Sequence, residues 1–334
     1  MERRRRVSIL DVAREAGVAQ STASRALADA PRVSPAARRS VKAAAEKLGY
    51  VPDLRAGGLA SSRTTTIGLL IRGAGRAFYG ELAAQVQLET DKRDIDLLIV
   101  GAGDDERRQT AAVRNLLGHG VGGILVASGR TSAATAEFAA SFVPTVTIAL
   151  GLVRPGFDAV NIDPASEADL ADRVVKAGHT RVAVTASRNR LAHTLHARTS
   201  SFLTQLIMAD VKTTIIASRA QEGRELREGL RAALDDGVTA FMAGDDATAL
   251  RILEYLAEWG VRCPDDVSVT GFDGVGPYRS SLLGLTTVAQ PVAQLAERAI
   301  ELIQDRLRND ATDSVDIRIP GHFVRGRTLG AAPA

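Results

Sequence analysis

The chain has 334 residues, 45% of them hydrophobic, with a formal net charge of +3. That length exceeds one typical domain, and the lone Cys263 excludes an internal disulfide framework and a cysteine-rich zinc site. No secretory pattern opens the chain and no apolar run reaches the roughly 18 to 20 residues a membrane span needs, so a soluble, cytoplasmic protein is expected.

The first element read from the N-terminus is a pair of short helices in VSILDVAREAGVAQSTASRAL. Ser8 and Asp11 form an S-x-x-D capping pattern, and Ile9, Val12, Ala13 and Ala16 recur at helical spacing, which predicts a helix over 9–16. Gly17 stands where a left-handed residue ends such a helix, and Val18 can fold back onto it. A second helix over 20–27 turns Ala23, Ala26 and Leu27 inward and leaves Gln20, Ser21, Thr22, Ser24 and Arg25 polar, a face that suits a DNA major groove. A third helix begins at the N-cap Ser34 with Pro35 at its first position and ends at Leu48, before Gly49. Charge follows the same division: residues 1–63 hold 13 Lys or Arg against 6 Asp or Glu, a surplus of +7 that leaves −4 for the rest of the chain. A basic head is the electrostatic footprint of a module that contacts phosphates.

This head resembles that of lactose-repressor-family (LacI-type) transcriptional regulators, whose pattern I-x-D-V-A-x-x-A-G-V-[SA]-x-x-T-x-S-R-x-L it matches from Ile9 to Leu27; the similarity continues through RVSPAARRSV and LGYVPD. By position, the resemblance implies base contacts from Gln20, Ser21 and Arg25 and phosphate contacts from Thr22 and Ser24. Glutamine can read adenine and arginine guanine bidentately, while hydroxyls bond phosphate oxygens. Residues 1–50 are thus expected to form a helix-turn-helix domain and 51–64 a hinge in which Leu59 takes the position of the family's minor-groove leucine. Asp53 and Gly57-Gly58 depart from the family's hinge, each glycine costing a helix about 1 kcal/mol relative to alanine. A flexible linker and a hinge that folds on DNA both fit that composition.

From Thr65 the chain alternates apolar runs with helical stretches, the signature of parallel α/β units. Strands are expected at TIGLLI, DLLIV, GGILVA, TVTIAL, RVAVTA, TTIIA, TAFMA, VSVTGF and near LTTV. The resemblance implies a two-lobed, periplasmic-binding-protein-like sensor over 65–330 with doubly wound parallel sheets. Lobe one is expected over about 65–162 and 290–308, and lobe two over about 163–289 and 309–330. The cleft between them is the expected effector site, since open parallel sheets bind ligands beyond the carboxyl ends of their strands.

Within that sensor, Arg198 in R-x-x-S-F resembles the arginine that grips the family's effector, and its planar fork can hold vicinal oxygens or a carboxylate. Asp273 in GFDG matches an acceptor for ligand hydroxyls, Asp245 is kept beside a Gly244 that replaces the family's asparagine, and Phe78 and Tyr79 match an aromatic pair able to stack on a ring. The family's S-N-P-F loop is absent, replaced by Gly75-Arg76-Ala77-Phe78, and Arg76 suits an anionic effector. His193 and His196 read as a loop near the pocket mouth, without the further ligands a metal site needs.

Two rival functions, a two-lobed small-molecule binding protein and an α/β enzyme, each without a DNA role, fit the residues less well. Gly73-Ala74-Gly75 falls short of a dinucleotide loop because Phe78 stands where the third small residue belongs, and no G-x-S-x-G, P-loop or H-E-x-x-H pattern occurs. The expectation is a non-enzymatic repressor needing no cofactor, with operator DNA and a small-molecule effector as partners. Lacking a C-terminal heptad segment after Ile319, it is expected to be a homodimer.

Overall fold

The computed structural model describes residues 7–27, 33–50, 66–151, 154–218, 223–309 and 313–333. Contacts divide the chain into units Met1–Thr64 and Thr65–Ala334. The hinge over 51–64, with Leu59, lies outside the described residues.

In the first unit, α1 (Ile9–Ala16), α2 (Gln20–Leu27) and α3 (Pro35–Leu48) close a small core. The start of α1 is a full capping box: the Ser8 hydroxyl accepts from the Asp11 amide at 3.3 Å and Asp11 accepts from the Ser8 amide at 2.9 Å. Gly17, at φ 68°, ends the helix, and the Val18 amide donates back to the Ala13 carbonyl at 3.0 Å. Val12, Ala13, Ala23, Ala26, Val41 and Ala44 are buried together. Alanines at the α2 contacts let three short helices approach closely.

The second unit holds two parallel sheets. The first contains β1 (Thr66–Ile71), β2 (Asp96–Gly101), β3 (Gly123–Ala127), β4 (Thr145–Ile148), β5 (Asp158–Ile162) and β11 (Asp316–Ile319), in the order β11-β5-β4-β3-β1-β2. The second has the order β7-β6-β8-β9 from β6 (Arg181–Ser187), β7 (Lys212–Ser218), β8 (Ala240–Met242) and β9 (Ser268–Thr270). β10 (Thr287–Ala289) and β12 (His322–Val324) form a small antiparallel pair, and isolated bridges from Thr270 and Asp273 attach the β10 segment to the end of the second sheet.

Each sheet is covered on both faces, which is why its strands read as continuous apolar runs. On the first sheet, Ile67, Leu69 and Ile71 pack against Leu82 and Val86 of α4 (Ala77–Asp91) and Leu295 and Ala299 of α11 (Val292–Arg308). Leu70, Ile124 and Val126 face Val113 and Leu116 of α5 (Glu106–Gly118) and Ala139 of α6 (Ala133–Ala140). On the second, Val182, Val184 and Met242 meet Leu170 of α7 (Ala165–Lys176) and Phe202 of α8 (His193–Met208). Its other face meets Leu226 and Leu230 of α9 (Arg224–Asp235) and Ile252 and Leu256 of α10 (Asp246–Glu258).

The structure corrects the sequence reading at three places. β5 and β12 are strands that hydrophobic runs did not reveal; in β5 the run is broken by Asp158 and Asn161, both buried and both paired. Residues 309–330, expected in the second lobe, are divided: β11 pairs in parallel with β5 of the first sheet, so the chain crosses after Ile319 and not at the end of α11. Asp316 and Arg318 alternate with Ile317 and Ile319 along that edge strand. Finally, His193 and His196 lie in the first turn of α8, not in a loop.

The return of the chain from α11 to β11 depends on one buried ion pair. Arg306 forks onto Asp158, Nε to Oδ2 and Nη2 to Oδ1, both at 2.7 Å, and the Val315 amide donates to the same carboxylate at 2.8 Å. Asp158 is 2% exposed. Removing one partner of a buried pair strands the other, so Asp158→Ala is expected to lower stability by about 3–5 kcal/mol, read as a depressed thermal midpoint. Unaltered unfolding would contradict that assignment.

Candidate functional site

Two surfaces carry chemistry. On α2, Gln20, Ser21, Ser24 and Arg25 are exposed and Thr22 is half-buried, while Ala23 and Ala26 face the core. The spacing i, i+1, i+4, i+5 gathers the four exposed side chains on one face. The helix is held by its neighbours and not by those side chains, which are left for an outside partner.

The second surface is a cavity of about 210 Å³ between the two lobes of the body. Its first-lobe wall comes from the loop after β1 and the start of α4, with Phe78 and Tyr79 edge to face at 5.3 Å between ring centroids. The Tyr79 hydroxyl accepts from the Gly129 amide at 3.0 Å, and burial pushes its pKa up, so it stays a neutral phenol.

The second-lobe wall is built on Arg198, which is 3% exposed. Its guanidinium lies 3.6 Å over the Phe272 ring, donates to the Gly244 carbonyl, and approaches Asp273 at 3.5 Å and Glu167 at 3.8 Å. A buried cation is tolerable only with such compensation. Asp273 is fixed as firmly: Gln290 Nε2 donates to its Oδ1 at 2.6 Å, and its backbone, at φ 134°, bridges to β10. Burial, opposed by Arg198 and reinforced by Asp246 and Asp245, pushes the Asp273 carboxyl up to about 8. Asp245 caps α10, accepting from the Thr248 amide at 2.7 Å, and also lines the cavity.

The structure therefore brings Phe78, Tyr79, Arg198, Asp245 and Asp273 to one cavity. It adds residues that sequence reasoning missed: Arg72 and Arg130 on the first lobe, Thr194 at the closure between lobes, and Gln290 beside Asp273. Thr194 on α8 donates to the Ala149 carbonyl at 3.0 Å and also reaches the Leu150 carbonyl at 3.3 Å, tying the second lobe to the first. The signal for Arg72 and Arg130 was available, because each follows an apolar strand within three residues, at the carboxyl end where parallel sheets bind ligands.

A helix-turn-helix unit in one chain with a polar cleft between doubly wound lobes defines a ligand-responsive DNA-binding regulator. Comparison with known proteins agrees: the family description "Bacterial regulatory proteins, lacI family" matches residues 8–53 and "Periplasmic binding protein-like domain" matches 171–329. Catabolite control protein A of Priestia megaterium is 28% identical over 94% of this chain and 96% of its own length. The transcriptional repressor PurR of Klebsiella pneumoniae is 26% identical over 98% of each. The Lac repressor dimer bound to operator and the anti-inducer ONPF shares the fold, with a TM-score of 0.82 at 22% identity over 98% of this chain and 100% of that one. The chain thus carries a lacI-family DNA-binding domain followed by a periplasmic-binding-protein-like domain, and relatives similar to it over most of its length are transcriptional regulators. Among its described residues no helix is long and apolar enough to cross a membrane.

The raised carboxyl of Asp273 has a measurable consequence. A group whose folded pKa lies above its ordinary value of 3.8 binds its proton more tightly in the fold, so stability is full at low pH and is lost as pH climbs toward about 8. Asp273→Asn is expected to flatten the fall in thermal midpoint between pH 4 and 8, leaving the smaller declines due to Asp246, whose carboxyl is pushed up to about 6 by burial, and to Glu167, which burial also raises. A variant whose midpoint falls as steeply as the parent's would refute the shift.

Proposed function

We propose that the chain is a cytoplasmic, non-enzymatic repressor that binds double-stranded operator DNA as a homodimer and is controlled by a small-molecule effector, a sugar or related metabolite, held between the sensor lobes. The observation that carries this reading is Arg198, a buried arginine held against the Phe272 ring, the Gly244 carbonyl and Asp273 at a cavity walled by both lobes. Such a residue contributes a fixed fork to a ligand. In this reading Phe78 and Tyr79 supply an aromatic wall, Asp245 and Asp273 accept from ligand hydroxyls, and Gln20, Ser21 and Arg25 read bases while Thr22 and Ser24 meet phosphates. Leu59 is assigned to the minor groove on the resemblance of the hinge alone. Exposed Leu88 on α4 and Ile99 on the edge strand β2 offer apolar surface for pairing of two copies. The pairing of heads is what gives a small helix-turn-helix enough groove to be specific.

Two variants test the reading. Arg25→Ala should weaken specific operator binding by roughly 1–3 kcal/mol and relax preference at one base position, checked by binding to a panel of single-base operator variants. Arg198→Ala should abolish the response to effector while operator affinity without effector stays near that of the parent, measured by titrating labelled operator. Loss of DNA binding by the unliganded Arg198 variant would point to a structural role and sink the assignment.

A further inference from the structure

The first-lobe wall of the cavity carries more positive charge than it neutralises. Arg72 follows β1, Asp104 follows β2 and Arg130 follows β3, three adjacent strands whose carboxyl ends meet at the cleft. Asp104 takes a fork from Arg72, Nε to Oδ1 and Nη2 to Oδ2 at 2.7 Å, and accepts from Arg130 Nη1 at 2.6 Å. One carboxylate thus serves two guanidiniums. Partial burial acts against its ionisation, yet the Arg72 hydrogen bond with the charges of Arg72, Arg130 and Arg76 holds the Asp104 carboxyl below its ordinary value, so it is ionised and fully used.

Both arginines are desolvated, with side chains 9% and 8% exposed, and Arg130 Nε is buried with no hydrogen-bond partner among the described residues. Burial and the neighbouring Arg72 push the Arg130 guanidinium down, the mark of a cation short of counter-charge. While Arg198 on the opposite wall has Asp273 and Glu167 beside it, the first-lobe wall meets Arg72 and Arg130 with the single carboxylate of Asp104. The same wall includes the N-terminus of α4, which no side chain caps, and its partial positive charge adds to the field. In water a surplus guanidinium is simply hydrated. In a cavity of this size it calls for an anion.

We propose that the effector is anionic, a small metabolite carrying a phosphate monoester or a carboxylate, and that Arg72 and Arg130 of the first lobe grip that group while Arg198 and Asp273 hold the opposite end. The inference rests on the effector reading above and adds the class of ligand to it. Charge-assisted, bidentate bonds to a guanidinium pair supply both affinity and selection against the neutral sugar of the same size.

The test uses the full-length protein and matched probes: ribose with ribose 5-phosphate, glucose with glucose 6-phosphate and with glucuronate, and inorganic phosphate at constant ionic strength. Thermal shift and calorimetry should show that a phosphorylated or carboxylated probe binds and its neutral partner does not, the two anionic arms separating phosphate from carboxylate. Arg130→Gln should weaken that binding by about 10- to 100-fold, the loss expected for a charged hydrogen bond. Arg72→Gln serves as the second variant should the first fail to fold. A parent protein that binds none of the anions, or prefers a neutral sugar whose affinity Arg130→Gln leaves unchanged, overturns the proposal. Anion binding that depends on Arg130 but leaves operator affinity unaltered would keep the anion site and defeat the effector reading instead.

Discussion

The body of this protein depends on one constraint: parallel strands cannot be joined by tight turns, so most connections within the two sheets cross by a helix and the strands of each sheet release their chain at the same edge. With two such sheets in one unit, the residues just beyond the strand ends become the lining of the space between them. Arg72, Asp104 and Arg130 arise this way from β1, β2 and β3, and Asp245 and Asp273 from the ends of β8 and β9. The helices contribute where their first two turns reach the same edge, as Phe78, Tyr79, Thr194 and Arg198 do. Position in the sheet, and not any run of consecutive residues, assembles the cavity.

The second-lobe wall shows what that geometry costs. Asp273 is a non-glycine residue at φ 134°, a conformation side chains rarely adopt, and the next residue, Gly274, leaves no room for a Cβ, which would lie 2.4 Å from the Ala289 backbone. The strain is held by the hydrogen bonds of a bridge, the Asp273 amide to the Val288 carbonyl at 3.0 Å and the Gln290 amide to the Asp273 carbonyl at 2.9 Å. Asp246 backs the arrangement from behind, accepting from the Gly274 amide and the Thr287 hydroxyl, each at 2.6 Å. The carboxylate that faces the cavity is therefore placed by backbone pairing and by a second, buried carboxyl that never reaches the ligand space.

Much of this was legible in the residues because local chemistry and global fold agree. The head could be read to its caps: Ser8 with Asp11, Gly17, Ser34 with Pro35, and Gly49 are each where a helix end demands them. Buried parallel strands announced themselves as apolar runs. What stayed hidden was β5, whose apolar run is broken by the buried Asp158 and Asn161, paired with Arg306 and Asp316 more than a hundred residues away in sequence. Arg72 and Arg130 could be placed at strand ends, but nothing within β1 or β3 says that the two strands are neighbours whose arginines share one aspartate. A resemblance transferred residue by residue also finds only the positions the family uses, and Arg72 and Arg130 are outside the patterns that led to Arg198 and Asp273.

The cavity charge bears directly on how a ligand could act at a distance. A ligand shifts an equilibrium between lobe arrangements only by its difference in affinity for them. Across the cleft, Arg198 on one lobe and the Arg72–Arg130 pair that shares Asp104 on the other present like charges, and in a desolvated space their repulsion opposes approach of the lobes. Direct polar ties across it include the Thr194 bonds to Ala149 and Leu150, the Gln290 bond to Asp273 and the contacts of Glu81 with Gly276 and Arg279. An anion bound between the arginines reverses the sign of the interlobe electrostatic term, so one ligand both fills the space and turns a repulsion into a bridge. A neutral ligand of the same shape would gain contacts with both walls but leave that repulsion in place. The differential affinity, and with it the size of any regulatory response, is therefore tied in this protein to the charge of the effector more than to its hydroxyl pattern.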